Sequence, residues 1–367
     1  MNATIRTKTD RIYQNLLNQI VGGSWHLGDQ ITPEEKLAVQ FGCSRMTVNK
    51  AIGRLQHDGL VERRTRAGTR VIKNVIRHES AVPPQFDAVA LIHPGEQHEG
   101  IWRIVQGFQQ NAQGVQRRTM MLTYGTNFQK EAEMVGRLRE FDVKGAVVYP
   151  VLPEPANQIY FGQMLLACRF PVVLVDVNLP GFGRPAVVAD GFHAGYTMTR
   201  HLLAGGAKRI GFLSNYSWTS FMRDRYLGYR RAMEEAGILP PDNWILLESA
   251  MHPDFSAPVN KSKLLATRYL NQAADLEGLV CANDFLALGC LEAARDLNIA
   301  VPERLRVVGI DDYTAAAEAR PALTTYHIPY TQMGRAAFDV LNGLLQGTVV
   351  PATELQLRGE LVARQSG

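Results

Sequence analysis

Cysteine is scarce in this chain of 367 residues. The four present, Cys43, Cys168, Cys281 and Cys290, form no C-x-x-C pair and have no histidine at metal-ligand spacing. That excludes a disulfide framework and a zinc site, and it points to a reducing compartment. No apolar run approaches the ~20 residues needed to span a bilayer. The opening MNATIRTKTDRIYQ lacks the apolar region of a secretory signal. These absences predict a cytoplasmic protein with no membrane partner. Catalytic signatures are missing too: there is no G-x-x-x-x-G-K-[ST], no H-E-x-x-H and no G-x-S-x-G. The histidines His93, His193, His201 and His327 have no carboxylate or nucleophile partner in sequence, and no cofactor is implied. With 46% hydrophobic and 20% charged residues, the chain is an ordinary globular one, long enough for two or three domains.

The net charge of +4 hides an asymmetry. Residues 1–75 hold twelve Lys+Arg against six Asp+Glu, whereas residues 76–367 hold 27 against 29. The whole positive excess therefore lies in the first fifth of the chain, which favours a polyanionic partner for that part alone.

Periodicity predicts three helices in residues 1–75. The first spans about Asp10 to Val21, with Ile12, Leu16, Leu17 and Ile20 on one face and Gly22-Gly23 as its stop. The second begins at Thr32-Pro33-Glu34-Glu35, read as an N-cap, a first-turn proline and a capping box closed by Glu35, and ends near Phe41-Gly42. The third is Ser44–His57, capped by Ser44. Val48, Ala51, Ile52 and Leu55 form its apolar stripe and leave Arg45, Asn49, Lys50 and Arg54 on the other face. That pattern alone also suits an ordinary amphipathic surface helix. Cations reach phosphates or guanine edges and an amide pairs with adenine, so a double-stranded DNA partner is the sharper reading. LVERRTRAGTRVIK after Gly59 then predicts a hairpin with Arg63, Arg64, Arg66 and Arg70 around an Ala67-Gly68 turn. Set against a helix pair, it reads as a wing that contacts phosphate.

Residues 11–73 resemble the winged helix-turn-helix domain of GntR-type bacterial transcription factors. The matching stretches are Ile12–Ile20, PEEKLA from Pro33, Phe41-Gly42, SRMTV from Ser44, Leu55, DGLVERR from Asp58 and Gly68-Thr69. The resemblance implies DNA contacts from Arg45 and Thr47, then from Asn49 and Gly68, with Lys50, Arg54, Arg64, Arg66 and Thr69 as further candidates. The family often has Arg directly after the Glu of its second helix, where this chain has Glu35, so Glu35 is read as a cap.

Residues 76–86 mix charge with Pro83-Pro84 and read as an inter-domain linker. From Asp87 onward, β-branched runs recur at 88–92, 145–149, 172–177, 209–213, 278–282 and 306–310, separated by helical stretches. Such alternation predicts an α/β domain over 87–367 with parallel sheets, doubly wound and long enough for two lobes. Ligands in such folds bind beyond the carboxyl ends of strands. Polar residues follow several of these strands: Asp176 and Asn178, Asp190, Asn283-Asp284, and Asp311-Asp312, with Arg223 and Arg225 after Phe212-Leu213. Paired acceptors and a forked donor suit a polyhydroxylated ligand. About half of these acids, including Asp311 or Asp312, are expected to cap the following helix instead.

The region from Asp87 to the end resembles the LacI/GalR-type sensor domain, which is related to periplasmic sugar-binding proteins. DGFHAGYTMTRHLLAGGAKRIG from Asp190, RYLGYRRAMEEAG from Arg225, ANDFLALG from Ala282 and VPERLRVVGIDDYTAAAEARPALTT from Val301 carry it. The resemblance assigns effector contacts to Arg225 and Asp284, then Asp176, with Glu96, Trp102 and Trp218 as further candidates. LacI-type relatives normally carry their own helix-turn-helix and hinge helix, absent here. A GntR-type head on a LacI/GalR-type sensor instead resembles the arabinose-repressor arrangement found in some bacteria. It implies a homodimeric repressor, released from a near-palindromic operator by a small sugar, most simply a monosaccharide. Two alternatives stay open. One is a purine- or phosphosugar-responsive regulator, in which Arg223, Arg225 and Arg184 pair with phosphate and Trp218, Phe221 and Trp102 stack on a base. The other is an α/β enzyme fused to a DNA-binding head.

Overall fold

The computed structural model describes residues 7–21, 24–64, 68–72, 88–95, 98–125, 127–150, 152, 154–168, 171–249, 257–273, 275–348 and 353–367. The chain divides into two compact units, Met1–Gln85 and Phe86–Gly367. The expected linker, residues 76–86, and the Gly22-Gly23 stop lie outside the described residues.

The first unit holds α1 (Lys8–Val21), α2 (Glu34–Gln40), α3 (Arg45–His57) and a hairpin of β1 (Val61–Arg64) with β2 (Gly68–Val71). Ile12, Leu16 and Ile20 of α1 pack on Val48, Ala51, Ile52 and Leu55 of α3, all buried, as the spacing of each helix requires. Ser44 caps α3 by accepting a hydrogen bond from Thr47 N at 3.2 Å. The cap read for α2 does not form. Its N-cap position is Pro33, no side chain caps it, and Glu35 pairs instead with Arg45. The two acids in its first turn still suit the positive end of the helix.

The hairpin register pairs Val61 with Val71 and Arg63 with Thr69. Side chains alternate, so these four share the inner face, and Glu62, Arg64 and Arg70 fall on the outer one.

The second unit is built on two six-stranded sheets. Its elements run β3 (Ala88–His93), α4 (Glu99–Gly114), β4 (Arg118–Thr123), α5 (Phe128–Gly136), β5 (Val143–Val148), α6 (Pro155–Ala167), β6 (Val172–Val175) and β7 (Ala186–Ala189). Then come α7 (Gly191–Ala204), β8 (Ile210–Ser214), α8 (Ser220–Glu235), β9 (Ile245–Leu247), α9 (Pro258–Gln272), β10 (Gly278–Cys281), α10 (Asp284–Asp296), β11 (Arg306–Asp311), α11 (Thr314–Glu318) and β12 (Thr324–His327). The chain ends with α12 (Tyr330–Gln346), β13 (Glu354–Leu357) and β14 (Glu360–Val362). The first sheet has strand order β13-β7-β6-β5-β3-β4 and is parallel throughout. The second, β14-β12-β11-β10-β8-β9, is parallel except for antiparallel β14.

In the first sheet, Val89, Leu91, Val147 and Val173 face the side of α4 and α12, whereas Ala90, Ile92, Val148 and Leu174 face a separate core. Both faces are covered, which is why these strands read as unbroken apolar runs.

The chain passes between the sheets after β7, after β12, and between β13 and β14, because α7 packs on the second sheet and α12 on the first. Side chains tie these crossings together. Asp190 caps α7 as expected, accepting from His193 N at 2.9 Å, and also receives Arg358 Nε at 2.8 Å. Tyr326 Oη lies 2.7 Å from His193 Nδ1 and accepts from Gly359 N at 2.9 Å.

Candidate functional site

Between the two lobes of the second unit lies a cavity of about 340 Å³, within the range of small-molecule pockets. Its walls come from the carboxyl ends of strands: Tyr149 after β5, Asp176 after β6, Asn215 and Trp218 after β8, Asn283 after β10, and Asp311 at the end of β11. Asp176 and Asp311 have φ of +69° and +143°. For side chains other than glycine these values are strained, and such strain gathers at functional sites.

Arg225 of α8 lies in the cavity floor. Its Nη2 is 3.3 Å from Asp311 Oδ1, and Nη1 donates to the Ala282 carbonyl. Its buried Nε meets no acceptor among the described residues, nor does the buried Nε1 of Trp218. A buried donor without a partner is costly, so both mark positions where a ligand acceptor fits. Asp311 Oδ1 also accepts from Tyr330 Oη at 2.9 Å, and Asp176 Oδ2 from Tyr149 Oη at 2.6 Å. Burial raises the pKa of Asp176 and takes that of Asp311 to about 6. His98, also in the lining, is held neutral by burial, which lowers it to about 4.

The lobes touch beside the cavity. Glu99 of α4 accepts from Thr314 N and Thr314 Oγ1, both at 2.8 Å, and pairs with Arg103. His98 Nε2 lies 3.2 Å from Tyr313 Oη.

Of the candidate effector contacts, Arg225, Asp176 and Trp218 line this one cavity. Two expected contacts do not join them. Asp284 lies behind the wall with no exposed surface; Oδ2 accepts from Tyr313 N and Oδ1 from Thr325 Oγ1, which fixes the loop after β11. Trp102 is 42% exposed on α4 and lies outside the cavity lining. Glu96 lies outside the described residues. Asp311 or Asp312 was expected among the helix caps. No side chain caps α11, and Asp312 instead binds Arg364 and His327, the latter at 2.9 Å, so His327 does have a carboxylate partner. Asn283, read only as a neighbour of Asp284, caps α10 and binds Asn215 at 2.8 Å. Arg184, a candidate for phosphate, donates to the carbonyls of Leu165 and Cys168 at the end of α6, and Arg223 pairs with Asp224 at the cavity edge.

On the first unit, Arg45, Asn49 and Lys50 are exposed along α3, and Thr47 Oγ1 lies 2.8 Å from Ser44 Oγ. Arg45 pairs with Glu35 at 3.0 Å and approaches Glu34 at 3.7 Å. Arg54 is turned towards α1, 2.6 Å from Asp10 and 4.4 Å above the Tyr13 ring, and so is withdrawn from that row. Thr69 faces inward and is buried. Arg64 is exposed beside Glu62, and Arg66 lies outside the described residues. Gly68 has φ +77°, a conformation that L side chains rarely adopt, and the Gln30 side chain lies against it where a Cβ would stand.

Among the described residues, no cluster of three His, Cys, Asp or Glu is placed to hold a metal, and no helix is long and apolar enough to cross a membrane.

Residues 8–71 match the family of bacterial regulatory proteins termed gntR, and residues 199–367 match a periplasmic binding protein-like domain. The arabinose metabolism transcriptional repressor of Geobacillus stearothermophilus is 25% identical over 359 residues, 97% of this chain and 96% of that protein. The HTH-type transcriptional regulator RegA of Clostridium saccharobutylicum is 30% identical over 241 residues, 65% of this chain and 69% of that protein. The crystal structure of the transcription regulator GntR from Chromobacterium violaceum aligns with a TM-score of 0.64 at 26% identity, over 76% of this chain and 98% of that one. These relatives regulate transcription and are not enzymes. The chain belongs to the DNA-binding transcriptional repressors that join a gntR-type helix-turn-helix to a LacI/GalR-like sensor domain.

Proposed function

We propose that this chain is a homodimeric cytoplasmic repressor that binds a near-palindromic operator and releases it when a neutral monosaccharide fills the cleft. Arg45 and Asn49 read base edges, while Thr47, Lys50, Arg64 and the backbone at Gly68 hold phosphates. The two-fold symmetry of such a dimer places its recognition helices one helical turn apart.

The cleft chemistry carries the ligand class. One buried guanidinium faces two carboxylates, Asp176 and Asp311, and amides from Asn215 and Asn283 stand nearby. Sugar hydroxyls both donate and accept, so they satisfy such a mixture. A phosphate dianion would meet the two carboxylates, and two further candidate cations are engaged elsewhere, Arg184 by backbone carbonyls and Arg223 by Asp224. The Trp218 ring beside Phe221 gives an apolar wall for the face of a pyranose or furanose.

A thermal-shift screen of the purified chain against free pentoses and hexoses, sugar phosphates and purines tests this. At 100 times its dissociation constant a ligand stabilises by ~2.7 kcal/mol, an easily read shift. Stabilisation by a free sugar supports the reading. Stabilisation only by sugar phosphates or purines contradicts the ligand class while leaving the repressor reading in place. Sedimentation at micromolar concentration tests the dimer.

A further inference from the structure

Glu34, the first residue of α2, gathers donors from two other elements onto one carboxylate, and 19% of its side chain is exposed. Oε1 accepts from Arg63 Nη2 of wing strand β1 at 3.0 Å. Oε2 lies 3.3 Å from Asn49 Nδ2 of α3 and 3.7 Å from Arg45 Nε. Arg63 Nη2 also donates to the backbone carbonyl of Asn49 at 3.1 Å. One half-buried carboxylate therefore fastens α2, the recognition helix and the wing at a single point.

The atoms it engages leave particular edges free. An asparagine amide has two N–H donors and one carbonyl acceptor, whereas pairing with adenine uses one donor and the acceptor. With one donor of Asn49 taken by Glu34, the remaining N–H and Oδ1 are the set that adenine needs. For Arg45, Glu34 engages only Nε, the atom nearest the chain, so the Nη1/Nη2 end can address guanine O6 and N7. Nη1 is covered by Glu35, whose side chain is 76% exposed. Exposed pairs of this kind are weak and readily exchanged, so Glu35 is displaced on docking while Glu34 stays. An arginine that would otherwise sample many rotamers is thus aimed before it meets DNA.

We propose that Glu34 is a positioning residue for sequence reading. It orients Asn49 and Arg45 against the wing, and as an anion facing a polyanion it adds no attraction of its own. This rests on the DNA-reading role proposed above for Arg45 and Asn49. It makes an unusual demand: loss of Glu34 weakens specific binding without weakening non-specific binding.

The test begins with site selection from a randomised duplex library by the full-length chain. Dissociation constants for the selected duplex and a scrambled duplex are then measured for the parent, Glu34→Gln and Glu34→Ala, over a range of salt. Glu34→Ala is expected to bind the selected duplex at least tenfold more weakly and the scrambled one as tightly or severalfold more tightly. Glu34→Gln, whose amide oxygen still accepts from Arg63, is expected to fall between. Misfolding weakens both duplexes together, and a simple charge effect strengthens both together. Either result, or an unchanged selected-to-scrambled ratio in Glu34→Gln and Glu34→Ala, overturns the proposal alone. A parent chain that enriches no sequence overturns the operator reading itself, and this proposal with it.

Discussion

Arg225 Nη2 faces Asp311 Oδ1 at 3.3 Å in the cleft floor, with 5% and 4% of their side chains exposed. Buried pairs of this kind are weak evidence for stability but expensive to break, because the surviving partner is left charged and unpaired. Arg225→Ala is therefore expected to lower the stability of the second unit by about 3–5 kcal/mol in denaturant melts. Arg225→Lys keeps the charge and loses the planar fork, so it should fold yet bind the effector at least tenfold more weakly by calorimetry. Unchanged effector affinity in Arg225→Lys would remove Arg225 from the site.

Gly195 places α7 against α8. A Cβ at this position would lie 1.9 Å from the backbone oxygen of Arg225, so Gly195→Ala must push α8 outward. Overpacking of this kind costs about 1–3 kcal/mol, and it moves Arg225 within the cavity lining. Effector affinity should fall along with the melting temperature. A loss of melting temperature with full affinity would show that α8 repacks without shifting Arg225.

Glu99 and Thr314 join the lobes through two hydrogen bonds of 2.8 Å. Hydrogen bonds to a charged group contribute about 1.5–3 kcal/mol, so Glu99→Ala should favour the open cleft and weaken effector binding by roughly tenfold or more. Small-angle scattering of the unliganded variant should report a larger radius of gyration. An unchanged radius and affinity would show that other contacts keep the lobes together.

Asp284 is held up to about 7 and Asp311 to about 6, each mainly by burial and also by a neighbouring carboxylate. The folded state therefore binds these protons more tightly than the unfolded chain does. The stability they confer is complete below the ordinary carboxylate value and is lost as pH rises through 6–7. Asp312, pulled down to about 2 chiefly by its hydrogen bond from His327, acts in the opposite sense and only well below pH 4. The melting temperature should rise as pH falls from 8 to about 6.5, below which the buried neutral His98 acts in the opposite sense, and it should rise less in Asp284→Asn. A flat profile in the parent would contradict the burial of these acids.

Much of this was legible in the sequence wherever one physical rule dominated. The α3 stripe of Val48, Ala51, Ile52 and Leu55 is buried as its spacing requires. The central strands announced themselves because both sheet faces are covered. Polar or edge strands were silent: β12 buries Thr324 and Thr325, which hydrogen-bond where an apolar pattern would have been read, and β13 and β14 are sheet edges. At the site, local sequence could not say which of several strand-end acids faces the cavity. Asp284, expected at the ligand, is instead claimed by the backbone N–H of Tyr313 in the loop after β11, while Asp311 caps no helix and lines the cavity. Likewise Thr32 and Glu35 had the spacing of a capping box, but Arg45, ten residues beyond Glu35, offered the carboxylate a charged partner.

Arg45→Ala separates the two units functionally. It should abolish selective DNA binding while leaving the effector-induced thermal shift intact. Loss of both together would contradict the division of labour between head and sensor.

In the function proposed above, a sugar in the cleft controls the grip of the head on DNA. The most direct measurement is fluorescence anisotropy of the full-length chain on its selected duplex, titrated with each sugar that stabilises the protein. Coupling of 1–3 kcal/mol predicts a loss of DNA affinity of about 5–150-fold at saturating sugar. A sugar that saturates the cleft and leaves the dissociation constant for DNA unchanged would contradict the account.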